Sequence, residues 1–283
     1  MDRVLVEIDA EGIAHVRMNR PDKLNALDAA MFDGLWSTAR ELARDRSLRA
    51  VVLSGEGRAF CAGLDFSSFA SMSPGTAGEQ KGGARGLLGR EAGSMATRAQ
   101  DAGWLWHDLP VPVIAAIHGP CFGGGLQIAL GADVRFIAPS ARMSVMEIKW
   151  GLIPDMSGTQ TLRHQLRLDV LKELTYTGRI VQGTEAVALG LATHLSDHPQ
   201  EAATELAREI AGRSPSAVRA GKKLLNRAVV SDERSGLALE ARLQAALIGK
   251  ANQVEAVRAN LEKRDPAFVD PVEPELEADD EQA

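Results

Sequence analysis

The chain has 283 residues, with 32 Lys and Arg against 38 Asp and Glu, a formal charge of −6 at pH 7. Proteins that grip phosphate backbones by counterion release need a basic face, so this balance argues against a nucleic-acid partner. Seven of the acids (Asp270, Glu273, Glu275, Glu277, Asp279, Asp280 and Glu281) lie beyond residue 269 with no Lys or Arg among them, which leaves residues 1–269 at +1.

With 45% apolar and 25% charged residues, the composition is that of an ordinary globular protein, long enough to bury roughly three quarters of its unfolded surface. No apolar run approaches the ~18 residues of a membrane helix, and the opening MDRVLVEIDAEG carries acids where a signal peptide has its apolar stretch. The expectation is a cytoplasmic protein without membrane contact. Cys61 and Cys121 have neither CxxC spacing nor the density of a secreted disulfide framework, so they read as buried free thiols.

Residues 3–9 and 13–18 alternate apolar and polar side chains around Glu11-Gly12, the pattern of a hairpin. Asp28 is placed to cap a long helix in which Met31, Leu35 and Leu42 recur at helical spacing up to Arg44. Residues 50–54 (AVVLS) suit a strand covered on both faces. Residues 66–94 are rich in Ser, Gly and Met with little periodicity, and read as a long mobile loop with one short helix, of the kind that serves as a lid or a binding loop or is disordered. A helix near 95–108, a strand over 111–119, a helix through 125–131 and a strand over 133–138 follow. From Pro199 to Lys263 the chain is helical and amphipathic, with Ser214-Pro215 marking one helix start. Three regions are expected: an α/β core over 1–198, a helical region over 199–265 used for packing or subunit contact, and an acidic, disordered tail over 266–283.

The sequence holds no GxxxxGK[ST], GxSxG, HExxH or GxGxxG. His194 and His198 are four apart, but Asp197 and Pro199 break any helix there, and no metal site is expected. Two glycine-bearing segments end buried strands: Gly57–Asp65 (GRAFCAGLD) and His118–Gln127 (HGPCFGGGLQ). Each is readable as a tight turn and nothing more, or as a turn that leaves backbone N–H groups uncovered. In the second, those donors sit at the first turn of a helix, where the macrodipole adds positive potential. Two such donors converging on one oxygen make an oxyanion hole, in which one donor is worth about 2.7–4 kcal/mol of transition-state stabilisation.

The segments NRPDKLNAL (19–27), GRAFCAGLD (57–65), HGPCFGGGLQIALGADVRFIAP (118–139) and EIKWGLIPDMSGTQTL (147–162) together resemble the crotonase, or enoyl-CoA hydratase/isomerase, superfamily over roughly residues 4–268. The resemblance implies a twisted ββα spiral core, a helical carboxyl end used in homotrimers or hexamers, and an acyl-CoA thioester substrate, with coenzyme A entering as part of the substrate and no separate cofactor. It implies an oxyanion hole from the N–H groups of Ala62 and Gly124, with Gly123, Gly63, Leu64 and Asp65 beside it. It also implies a CoA channel lined through Lys23, Leu24 and Ala26, and a cation, Lys263, near the CoA phosphates; a solvated basic pair with Arg264 is the other reading of Lys263.

The superfamily's two hydratase carboxylates correspond to positions 127 and 147, and here position 147 is Glu but position 127 is Gln. An amide can hold a water but cannot take its proton. Double-bond migration needs one carboxylate only, so the preferred reaction is isomerisation of an enoyl- or dienoyl-CoA with Glu147 as the base. Asp155 resembles the second acid of dienoyl-CoA isomerases and also reads as a helix N-cap; Gln127 reads as a water-positioning group or an ordinary helix residue. The alternatives are an enoyl-CoA hydratase with a water held by Gln127, and a non-catalytic acyl-CoA-binding protein.

Overall fold

A computed structural model describes residues 2–65, 67, 84–90 and 94–271. Most of the expected 66–94 loop, and the tail from 272, lie outside the described residues; within that loop Ala84–Leu87 form a short helix. Chain order is β1 (Val4–Ile8), β2 (Ile13–Met18), α1 (Ala29–Arg44), β3 (Ala50–Gly55), α2 (Ala84–Leu87), α3 (Arg98–Asp108), β4 (Val113–Ile117), β5 (Pro120–Phe122), α4 (Gly124–Ala129), β6 (Val134–Ile137) and β7 (Arg142–Ser144). There follow α5 (Gly158–Leu162), α6 (Leu168–Thr177), β8 (Val181–Gln182), α7 (Gly183–Leu189), β9 (His194–Leu195), α8 (Pro199–Ala211), α9 (Pro215–Ala228), α10 (Glu233–Leu247) and α11 (Ala251–Glu262).

The expected hairpin forms: β1 runs antiparallel to β2, after which the sheet continues β2-β3-β4-β6-β9 with every pairing parallel. Parallel strands are covered on both faces, which is why β3 and β4 read as continuous apolar runs and are buried throughout. Their side chains still alternate. Val51, Leu53, Val113 and Ala115 face the main core with Met31, Leu35 and Trp106 from α1 and α3. Ala50, Val52, Ile114 and Ala116 face the other way, against Ala203 and Ala207 of α8. The packing therefore seats Pro199–Ala211 directly on the sheet. A second sheet, β5-β7-β8, was not apparent from the sequence because its strands are two or three residues long.

Two buried cations dock α9 on the core by binding backbone carbonyls. Lys222 Nζ lies 2.9 Å from Val111 O and 2.7 Å from Asp133 Oδ2, and Arg219 Nη2 lies 3.0 Å from Asp45 O. Beyond α9, α10 packs through Leu239 and Leu243 onto Ala220. The segment after α11 is held at its start: Asn252 exchanges hydrogen bonds with Val269 N and O (both 2.9 Å), and Asp270 pairs with Arg49 at 2.6 Å. Disorder expected from residue 266 is thus corrected for 266–271, because a buried amide and a core-edge guanidinium satisfy its backbone and charge.

Asp28 caps α1 as expected, accepting from Met31 N at 2.9 Å, and its other oxygen takes both Nε and Nη2 of Arg3. Asp28→Ala removes a cap and a bidentate ion pair together. A loss of about 1–2 kcal/mol in unfolding free energy is expected from urea denaturation, with the native circular dichroism spectrum retained.

Candidate active site

The two glycine segments meet edge to edge. Phe60 N donates to His118 O (2.9 Å), Cys61 N to Pro120 O (3.0 Å) and Phe122 N back to Cys61 O (3.0 Å), a short parallel ladder centred on the Cys61–Cys121 bridge. Both cysteines are buried free thiols, and burial pushes the Cys61 thiol up to about 12. Gly63 turns the chain at φ +90°, and a Cβ there would lie 2.7 Å from Phe122 O and 3.7 Å from Gly124 N, so the two turns approach as only glycine allows. Gly124 is enclosed by Met156 and Leu27, where a Cβ would lie 2.6 Å from the Met156 sulfur.

The two expected oxyanion donors differ in state. The Gly124 N–H opens α4, where no backbone carbonyl accepts from it among the described residues. The Ala62 N–H donates to Leu24 O at 2.9 Å. The α4 helix spans only Gly124–Ala129, shorter than the 125–131 expectation at its far end, so direct N–H donation rather than a macrodipole is what this turn offers.

Pairing within the second sheet delivers the carboxylate. Phe122 is in register with Ser144, Gly123 N donates to Ser144 O at 2.9 Å, and three residues later Glu147 opens a 3-10 turn. A Cβ on Gly123 would lie 3.4 Å from Glu147 Oε1 and 3.9 Å from Oε2, which sets the carboxylate beside the glycine turn. Gln127 then orients it. Its Nε2 donates to Glu147 Oε1 at 2.6 Å, while its own oxygen accepts from Met156 N (2.8 Å) and Gly158 N (3.0 Å). Glu147 Oε2 is buried with no hydrogen-bond partner among the described residues. Burial pushes the Glu147 carboxyl above the usual carboxylate range; the Gln127 amide opposes that shift and the Asp155 charge adds to it.

Gly123, Gln127 and Glu147 line a cavity of about 270 Å³, together with apolar side chains that include Leu126, Leu130 and Leu162. Asp155 does not line it; this residue is exposed, with its carboxyl raised by partial burial. The N-cap of α5 is Ser157 rather than Asp155, and no side chain caps that helix. Lys263, in the left-handed C-cap of α11, and Lys23, closing a 3-10 turn, are both exposed and outside the cavity lining. Arg264 is engaged by Glu255 and Glu262.

Residues 9–271 match the enoyl-CoA hydratase/isomerase family. The chain belongs to that family. Human "Enoyl-CoA hydratase domain-containing protein 2, mitochondrial" is 37% identical over 92% of this chain and 86% of its own. The peroxisomal Delta(3,5)-Delta(2,4)-dienoyl-CoA isomerase of Arabidopsis thaliana is 32% identical over 90% and 92%. The crystal structure of an enoyl-CoA hydratase from Bacillus anthracis superimposes with a TM-score of 0.84 at 30% identity, covering 94% of this chain and 98% of that one. Fold and family are thus those the motifs imply.

Within this member of the hydratase/isomerase family, two structural residues escaped sequence reasoning. Asn25, fully buried at φ +56°, donates to Glu56, Ala59 and Phe60 carbonyls and accepts from Arg20 N, stitching the 20–27 segment to the first glycine turn. Arg20 reaches Ala26 O at 3.2 Å and Asp65 Oδ2 at 2.8 Å, so Asp65 is held in an ion pair. The available signal was an Asn within a turn, one of the few residue types that tolerates left-handed backbone.

Because Glu147 gains its proton more readily folded than unfolded, its ionisation costs stability. The cost is absent below the unfolded pKa near ~4.3 and complete once pH exceeds the raised folded value. Glu147→Gln is therefore expected to raise the thermal midpoint at pH 7, with the gain shrinking as pH falls toward 4. An equal gain at both pH values counts against a perturbed carboxyl.

Proposed function

We propose that the enzyme shifts the double bond of an enoyl- or dienoyl-CoA through a thioester enolate, with Glu147 as the base. The observation that carries this reading is the asymmetry of the acid pair. Gln127 supplies no carboxylate, and both lone-pair directions of its oxygen are committed to Met156 and Gly158. It can donate to Glu147, or to a water, but has no acceptor left for a nucleophilic water. One general base remains, enough for proton transfer and short of the two carboxylates hydration uses.

The thioester oxygen binds the Gly124 N–H and takes the Ala62 N–H in exchange for Leu24 O, which acidifies the α carbon. Glu147 Oε2 removes a proton from C2 of a 3-enoyl-CoA; the electron pair delocalises into the oxyanion and across C2–C4. The same carboxylic acid returns that proton to C4, leaving a 2-enoyl-CoA and an ionised Glu147. Its raised pKa suits both halves of the transfer. For a 3,5-dienoyl-CoA, Asp155 serves as the second acid, receiving or returning the proton further along the chain. Coenzyme A enters as part of the substrate, and no other cofactor takes part.

Purified protein assayed on 3-enoyl-CoA, 3,5-dienoyl-CoA and trans-2-enoyl-CoA tests this. Isomerisation is expected, lost by at least about 100-fold in Glu147→Gln while acyl-CoA binding is retained; Asp155→Asn should impair the dienoyl substrate selectively. Hydration of trans-2-enoyl-CoA as the dominant activity overturns the reading. Binding without turnover of any of the three points to the non-catalytic alternative. In Gln127→Glu, a second carboxylate meets Glu147 Oε1 at what is now a 2.6 Å contact, so the pair shares a proton at neutral pH. Hydration should then rise and the isomerase acid limb move to higher pH. An unchanged pH profile shows that residue 127 does not touch the base in solution.

A further inference from the structure

Ser157 stands in a conformation that its side chain does not favour. It adopts the left-handed region at φ +72° and ψ −5°, which costs any residue with a Cβ, and although it is the N-cap of α5 its hydroxyl caps nothing. The residue is buried, and its Oγ has no hydrogen-bond partner among the described residues. Its surroundings hold it there. A Cβ on Gly103 of α3 would lie 2.8 Å from Ser157 Oγ, 2.7 Å from Met156 O and 3.0 Å from Gln127 O, so the loop, α3 and α4 meet where there is no spare volume. On its other side Ser157 O accepts from Gln160 N at 2.9 Å and Thr161 N at 3.2 Å, which ties the residue to the first turn of α5.

The conformation sets the direction of two N–H groups. In an extended chain, N–H groups two residues apart are separated by about 7 Å and cannot share an acceptor, and in a right-handed turn they run parallel to the axis. A left-handed residue between them makes a concavity, and here the Met156 and Gly158 N–H groups both reach the Gln127 oxygen, at 2.8 and 3.0 Å. We infer that Ser157 is a positioning residue whose left-handed backbone, wedged against Gly103, decides which end of the Gln127 amide faces Glu147. This rests on Glu147 being the base. With both N–H groups on its oxygen, Gln127 presents Nε2 to Glu147 Oε1. Once they are withdrawn, the amide is free to rotate and set oxygen against oxygen, which favours the protonated carboxyl and removes the base at neutral pH.

Three variants separate this role from packing. Ser157→Val, β-branched and averse to positive φ, should lower isomerase activity at pH 7 at least about 10-fold with the circular dichroism spectrum retained, and the acid limb of its rate profile should move to higher pH. Ser157→Gly, which takes the same conformation freely, should keep the acid limb where the unmodified enzyme has it. Gly103→Ala, which pushes on Met156 O from the far side, should move the limb in the same direction as Ser157→Val. Asp155 is the charge that acts on Glu147, and no Lys, Arg or His lines the cavity among the described residues; the displacement should therefore persist in an Asp155→Asn background. Nuclear magnetic resonance of 13C-labelled glutamate follows the Glu147 carboxyl without turnover, and it should titrate at higher pH in Ser157→Val than in Ser157→Gly. An unmoved carboxyl in folded Ser157→Val, or an equal displacement in Ser157→Gly, overturns the inference. If Ser157→Val does not fold, amide exchange in the unmodified protein decides: slow exchange at Met156 and Gly158 supports the inference and fast exchange overturns it. Absence of isomerisation while the carboxyl titrates in the expected order overturns only the isomerase reading.

Discussion

The site depends on one contact between two strand ends: the parallel ladder that joins Phe60–Cys61 to His118–Phe122. Both segments leave the same end of two adjacent, buried parallel strands, so their exits are already neighbours. Small residues let them close the remaining gap. A Cβ on Gly125 would collide with the Cys61 carbonyl and side chain, and one on Gly63 with Phe122 O. The turns at Gly63 and Gly123–Gly124 are brought close as a by-product of sheet geometry, and the second sheet uses the same stretch, Pro120–Phe122, to register Ser144 and hence Glu147. The glycine turns and the segment that carries Glu147 are held by one set of backbone hydrogen bonds, so a shift of either turn would move all of them together.

Gln127 distinguishes the two oxygens of Glu147. Its amide is oriented by two backbone N–H donors from the 156–158 loop, which leaves Nε2 aimed at Oε1. A side chain with two acceptors at this position would not define which oxygen of Glu147 is engaged, and an apolar one would leave both unpaired. The result is a carboxylate with one oxygen anchored and the other buried without a hydrogen-bond partner among the described residues.

Large elements were legible because periodicity and capping are local. The α1 helix with its Asp28 cap, the hairpin, the buried strands β3 and β4 and the Ser214 cap of α9 all follow from side chains within a turn or two of one another. The glycine turns and Glu147 were legible through their motifs. What could not be read depends on contacts between distant segments. Three-residue strands carry no period, so the β5-β7-β8 sheet and its role in placing Glu147 were invisible. Asn25, Arg20, Lys222 and Arg219 look like ordinary polar residues until the fold brings carbonyls to them. The same limit applies to Gln127: the sequence shows an amide where an acid could stand, and only the loop at 156–158 shows which of its atoms are spent.

Burying an acid with an unpartnered oxygen works against folding, and the surrounding packing shows where the compensation lies. The glycine turns contribute little by themselves, since each positive-φ glycine gives up more backbone freedom on folding than any other residue. The stabilisation comes from the sheet behind them, whose β3 and β4 side chains are buried on both faces by α1, α3 and α8. It comes also from Asn25 and Arg20, whose hydrogen bonds tie the flanking segments so that relaxing the site would break several satisfied polar contacts at once. A buried polar network of that kind is costly to open partway, because every half-broken state leaves a desolvated donor or acceptor. Rigidity at the site is thus imposed from outside it. Glu147 Oε2 thus stays buried without a hydrogen-bond partner among the described residues while the contacts around it are satisfied.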